Sequence, residues 1–107
     1  MTISHNIDEE IRKFEKQLEK EVNDMIYING VQLFKKIIDR TPVVTGTLKD
    51  GWKFNSSKVD GYTAIDITND VEYAIYVEEG TDKFSGRHMV DLSVAEQERE
   101  MNKGKLK

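Results

Sequence analysis

Glu78, Glu79 and Asp82 stand close together around Gly80 in this 107-residue chain. Clustered carboxylates are the raw material of acid–base catalysis or of a hard-cation site, which needs several oxygens. Adjacent side chains such as Glu78 and Glu79 point apart on either a helix or a strand. No further carboxylate or glycine-built nest accompanies them, so solvated acids before a turn are the simpler reading. His5 and His88 are the only histidines, and neither has a partner three or four residues away to put two imidazoles on one metal. The chain has no cysteine, which removes thiolate nucleophiles, disulfides and zinc–thiolate sites. Thr45-Gly46-Thr47 lacks the length and the closing lysine of a phosphate-binding loop, and reads as a turn that uses the freedom of Gly46. Ser56-Ser57 falls in a strand without a nucleophile elbow. The residues therefore assign no catalytic group, no cofactor-binding residue, no cofactor and no metal ligand, and a non-enzymatic protein is expected.

Apolar periodicity supplies the elements. Ile7, Ile11, Phe14, Leu18, Val22 and Met25 recur at spacings of four and three, and Val31, Leu33, Phe34, Ile37 and Ile38 continue the stripe. This predicts a long amphipathic helix, with Gly30 as a weak point or kink. Asp8 with Arg12 and Glu9 with Lys13 are set for pairing on its outer face. Thr41-Pro42 ends the helix, because a residue before proline is driven out of the helical region. After a loop with one helical turn capped by Thr45 or Thr47, Trp52 to Val59 and Tyr62 to Thr68 flank Asp60-Gly61, a signature of a two-residue hairpin turn. Ile65 and Ile67 alternate with Ala64 and Asp66, so one face of the hairpin is buried. For residues 71–79 strand and helix compete, and the spacing of Tyr73, Tyr76 and Val77 favours a helical turn. A surface loop over Gly80 to Gly86 and a last helix from Arg87 to about Met101 follow. The expected fold is α+β, with a long N-terminal helix packed on a small antiparallel sheet. It occupies one domain, residues 1–107, with residues 1–6 and 102–107 as flexible ends.

Composition bounds the function. The chain is 37% hydrophobic and 34% charged, too apolar in its periodic segments for disorder and too polar for a membrane span. Its first residues lack the apolar stretch of a secretion signal, so no export is expected. Net charge is −4, and residues 41–80 carry seven acids against three lysines, which argues against a phosphate-gripping surface. Lys103, Lys105 and Lys107 read as solubilising charges on a frayed end. Trp52 is expected in the core against the first helix. For Ile7 to Leu18, cover by this chain and cover by a neighbouring subunit both remain open.

Three segments, in order, resemble the neck and tail-completion proteins of long-tailed phages, the head–tail joining family. They are Thr41-Pro42-Val43-Val44-Thr45-Gly46-Thr47-Leu48 with Trp52; Asn69 followed by Val71-Glu72-Tyr73-Ala74-Ile75-Tyr76-Val77-Glu78-Glu79-Gly80-Thr81; and Gly86-Arg87-His88-Met89-Val90. The resemblance runs from Val31 to Ala95. It departs from the family at Val44, where an acid is common, at Gly51, where a small polar residue is common, and at His88, where proline is usual. It implies a non-catalytic structural subunit of a phage or prophage particle at the head–tail junction. Such a subunit forms a homo-oligomeric ring around the DNA channel and meets other head-connector and tail proteins. DNA passes without specific binding, and no membrane or small-molecule substrate is involved. The protein would reside in the host bacterial cytoplasm during assembly and then in the virion neck or tail. A ring subunit needs exposed apolar anchors, for which Tyr73, Tyr76 and Phe84 are the candidates. Channel-facing acids would be Glu72, Glu78, Glu79 and Asp82. A different class is also compatible with the sequence: a small cytoplasmic regulatory or toxin–antitoxin type protein that pairs through its N-terminal amphipathic helix.

Overall fold

A computed structural model describes residues 3–43, 46–83 and 85–105, with side chains over 7–43, 46–83 and 85–103. Six elements follow in order: α1 (Ile3–Arg40), α2 (Thr47–Asp50), β1 (Trp52–Val59), β2 (Tyr62–Asn69), α3 (Ala74–Glu79) and α4 (Met89–Lys105). This is the expected α+β fold of a long helix, a two-stranded antiparallel sheet, a short helix and a C-terminal helix.

The helix α1 runs unbroken through Gly30. A side chain there would place its Cβ 2.9 Å from Ile65 Cγ1, so the glycine lets β2 lie directly on the helix. Contact with the sheet outweighs the propensity cost of about 1 kcal/mol that predicted a weak point. Asp60 and Gly61 both have positive φ, 52° and 84°, as a two-residue hairpin turn requires. The register opposes Phe54 to Ile67 and Ser56 to Ile65, putting these residues on the face toward α1. Phe54 meets Tyr27 and Phe34 edge-on, with ring centroids 5.8 and 5.5 Å apart.

At its far end α1 is closed by a relay. Thr41 Oγ1 donates to Ile37 O at 2.7 Å and accepts from Trp52 Nε1 at 2.8 Å. Trp52 is thus half-buried at the end of the helix, not enclosed in a core. Asn69 performs the matching task for the sheet: its amide donates to Leu48 O at 2.8 Å and its oxygen accepts from Val71 N at 3.0 Å. The helical turn α2 starts after Gly46, which has φ 74° and provides no side-chain cap. Thr47 is therefore inside the turn and not its cap, and Thr45 lies outside the described residues.

The helix α4 runs antiparallel to α1 through polar contacts. Lys36 Nζ donates to Gln97 Oε1 and Glu100 Oε2, at 2.6 and 2.9 Å. Arg40 donates to Glu96 Oε2 at 2.9 Å and Ser93 Oγ at 3.2 Å, and Gln97 Nε2 reaches Gln32 Oε1 at 2.9 Å. α4 begins two residues later than expected and continues past Met101 to Lys105. Among the described residues the buried apolar core is Ile37, Leu48 and Met89. These residues come one each from α1, α2 and α4.

Two substitutions test this frame. Gly30→Val should cost about 2 kcal/mol in denaturant unfolding through overpacking against Ile65, while Gly30→Ala costs less because alanine recovers helix propensity. Thr41→Val should cost about 1–2 kcal/mol, because it leaves the half-buried Trp52 N–H without its acceptor. Equal stability of wild type and Thr41→Val would show that the relay contributes nothing.

Candidate assembly surfaces

The molecule measures 76 × 29 × 20 Å and exposes 8367 Å², where a compact folded monomer of 12.4 kDa would expose about 6,100 Å². The excess has a visible source. The hairpin tip reaches α1 at Asn23, whose side chain donates to Gly61 O at 3.1 Å and accepts from Thr63 N at 2.7 Å. The hairpin still approaches the helix at Glu19 and Lys16, through Gly61 and Lys58; N-terminal to these the helix projects alone, and Ile7, Ile11, Phe14 and Leu18 are all exposed, Phe14 to 63%.

A second apolar surface lies beyond the opposite end of α1. Pro42, Tyr73, Tyr76, Val77, Thr81, Ser85, Gly86 and Arg87 line an open groove of about 700 Å³. Tyr76 is 60% exposed there. Residues from all three segments singled out in the sequence meet here: Pro42 from the first, Tyr73, Tyr76, Val77 and Thr81 from the second, and Gly86 and Arg87 from the third. Tyr76 lies on the short helix α3 and Tyr73 just ahead of it, and residues 80–83 and 85–86 close back on the helix through the Gly80–Ser85 bridge and the Arg87 N to Val77 O hydrogen bond of 2.7 Å. Gly86 permits this return, since a Cβ at that position would run into the backbone of Glu78 and Glu79. Phe84, the third predicted anchor, lies outside the described residues.

The four predicted channel acids separate into two kinds. Glu72, Glu79 and Asp82 are exposed. Glu78 is half-buried, with Oε1 accepting from Val90 N at 3.0 Å and Oε2 from Asp91 N at 3.1 Å. It therefore caps the N-terminus of α4, where two otherwise unpaired amides and the helix dipole favour a negative charge. Sequence reasoning missed this role, because the cap comes from a residue more than ten positions before the helix. His88 adopts φ 50° just ahead of α4, a conformation proline cannot reach because its ring fixes φ near −65°. The residue that stands where the resemblance leads one to expect proline thus takes a backbone angle that proline could not.

Glu78, His88 and Asp91 also bring three potential ligand atoms within 4.8 Å of one another. Both Glu78 oxygens already serve the helix amides, and the His88 Nδ1 to Asp91 Oδ2 distance is 3.6 Å. The arrangement fits a helix start better than a metal centre. Elsewhere, Lys53 Nζ bonds Asp70 Oδ2 at 2.8 Å, and this hydrogen bond, then the lysine charge, holds the Asp70 carboxyl below its usual value. The associated stability is present above the unfolded-state value and fades as pH falls through the lowered one; full exposure keeps it slight. No helix among the described residues is long and apolar enough to cross a membrane.

Glu78→Ala should lower stability by about 1–2 kcal/mol and fray the first turn of α4, measurable as faster amide exchange at Val90 and Asp91. Glu79→Ala should stay within about 0.5 kcal/mol of wild type as an exposed substitution. Equal effects of the two changes would remove the capping role.

The chain matches the sequence profile of the HK97-gp10-like family, the bacteriophage HK97-gp10 tail-component proteins, over residues 6–80. The matched stretch spans α1, α2, the hairpin and α3. No curated protein matches, and no solved structure does. With most of its length covered by that profile, the chain belongs to the HK97-gp10-like family of phage tail components and is a structural protein of the phage tail.

Proposed function

We propose that this protein is the neck or tail-completion subunit at the head–tail junction of its phage or prophage, and that it works as a homo-oligomeric ring around the DNA channel. The observation that carries the reading is the groove at Tyr73 and Tyr76, where all three family-like segments converge on an open apolar surface that no described element covers. Exposed aromatics of this kind anchor interfaces, and two separate apolar surfaces on one chain suit head-to-tail contacts that close by rotation.

The electrostatics agree with a DNA conduit. Segment 41–80 has four more acids than bases, and a wall that must let a polyanion slide should repel its phosphates. Glu72, Glu79 and Asp82 face solvent and are the acids assigned to the lumen; Glu78 sits beside them as a cap. The subunit is non-enzymatic. Its partners are copies of itself and the neighbouring head-connector and tail proteins, it contacts neither membrane nor small-molecule substrate, and it is held in the host bacterial cytoplasm until it joins the particle.

Silencing this chain in the phage or prophage that encodes it should leave DNA-filled heads and finished tails lying apart in electron micrographs. Supplying the protein in trans should join them. Joined particles in its absence would exclude the junction role, and a failure to build any tail would move the protein to an earlier step.

A further inference from the structure

The solitary half of α1 and the groove beyond its other end are a mismatched pair of apolar surfaces at the two ends of one elongated subunit. We propose that the N-terminal arm of one copy, through Ile7, Ile11, Phe14 and Leu18, seats in the Tyr73–Tyr76 groove of the next copy, and that this contact propagates the assembly. The inference deepens the ring reading and rests on it.

Three observations select a second copy of this chain as the occupant. First, the subunit exposes roughly 2,200 Å² more than a compact monomer of its mass should. That is the scale of a standard protein interface, about 1,200–2,000 Å² in total. Second, the charges beside the arm's seam are one-sided. If Ile7, Ile11, Phe14 and Leu18 form the seam, the flanking positions hold Asp8, Glu10, Glu15 and Gln17, while Glu9, Arg12, Lys13 and Lys16 lie on the outer side, Lys13 reaching Glu10 at 3.6 Å. Third, the only charged side chain among those lining the groove is Arg87, and it forms no ion pair with any described residue. An acid-edged apolar helix is complementary to an apolar groove whose one lining charge is the Arg87 guanidinium, the exposed Glu72, Glu79 and Asp82 lying outside that lining. Two acid-edged arms meeting each other would set like charges across the flanking positions, the arrangement that disfavours self-pairing of helices. Complementarity thus joins unlike surfaces, and a head-to-tail contact results.

The chain has no cysteine, so single thiols can be introduced cleanly. Phe14→Cys and Tyr76→Cys, both at exposed positions, should give mainly the mixed disulfide dimer when equal amounts are oxidised together at concentrations where wild type associates. Homodimers of Phe14→Cys predominating in that mixture would overturn the proposal in favour of arm-to-arm pairing. A companion measurement uses Phe14→Glu/Leu18→Glu as an arm-dead chain and Tyr76→Glu/Arg87→Glu as a groove-dead chain. Each alone should remain monomeric by native mass spectrometry, and their mixture should stop at a one-to-one dimer, because only one intact contact is left. An oligomer that survives in the arm-dead chain would overturn this inference and leave the ring reading standing. A wild-type chain that stays monomeric at every accessible concentration and is found singly in the particle, with no mixed disulfide from the cysteine pair, would defeat both.

Discussion

The hydrogen bond from the Trp52 indole to the Thr41 hydroxyl fixes the point on which the rest of the fold turns. A helix of 38 residues has no interior of its own, and most helical stability in a folded protein comes from packing one face against something else. Here that something must fold back beside the helix immediately after it ends. Pro42 stops the helix, Thr41 satisfies the carbonyl of Ile37 and receives Trp52, and Trp52 is the first residue of β1. One short relay therefore sets the direction in which the hairpin returns along α1. Asn69 repeats the device at the last residue of β2, tying the strand to α2 and to the chain that leads into α3. Several residues of the family-like segments that look unremarkable in sequence are thus corner pieces.

The joint between α1 and α4 is built differently. Ser93 and Gln97 are buried, and they are met by Arg40, Gln32 and Lys36 rather than by apolar groups. Such bonds add on the order of 1 kcal/mol apiece, and a buried amide left unpaired costs about 1–3 kcal/mol, so they select one alignment of the two helices over its neighbours. With only Ile37, Leu48 and Met89 fully buried among the apolar residues described, the subunit is held by specific corners and polar matching more than by a large core. That economy leaves apolar surface outside. It is the opposite of what a lone, self-sufficient monomer of this size requires.

Legibility in the sequence divided along the range of the interactions. The long helix, the hairpin with its turn at Asp60-Gly61, and the helical turn at α3 follow from periodicities of 3.6 and 2 and from one dipeptide, all local signals. Gly30 reads as a weak point in the sequence because the reason for it, Ile65, is 35 positions away. Trp52 was expected in a core, since its area is visible in the sequence while its hydrogen-bond partner Thr41 is not. The capping role of Glu78 and the Gln97 network were illegible for the same reason: each joins groups that only the tertiary fold brings together. At the assembly surface the three family-like segments were visible separately, and their convergence on one groove was not.

That convergence bears on how a tail component of this size can act. The groove is made by elements that the corner residues hold in place: Pro42 follows the α1 cap, α3 follows the Asn69 turn, and Arg87 precedes the helix capped by Glu78. Each wall therefore depends on a different corner. The arm, by contrast, needs only helix continuity and a run of exposed apolar residues. An interface pairing one pre-formed surface with one simple helical segment loses little freedom on binding, which favours affinity from a modest contact area. In the proposed ring, several such contacts closed in a circle would be far stronger together than one alone, because each new contact forms at the high effective concentration set by the others. A subunit with so small a core can on this account be stable in the particle while remaining a weak associator by itself.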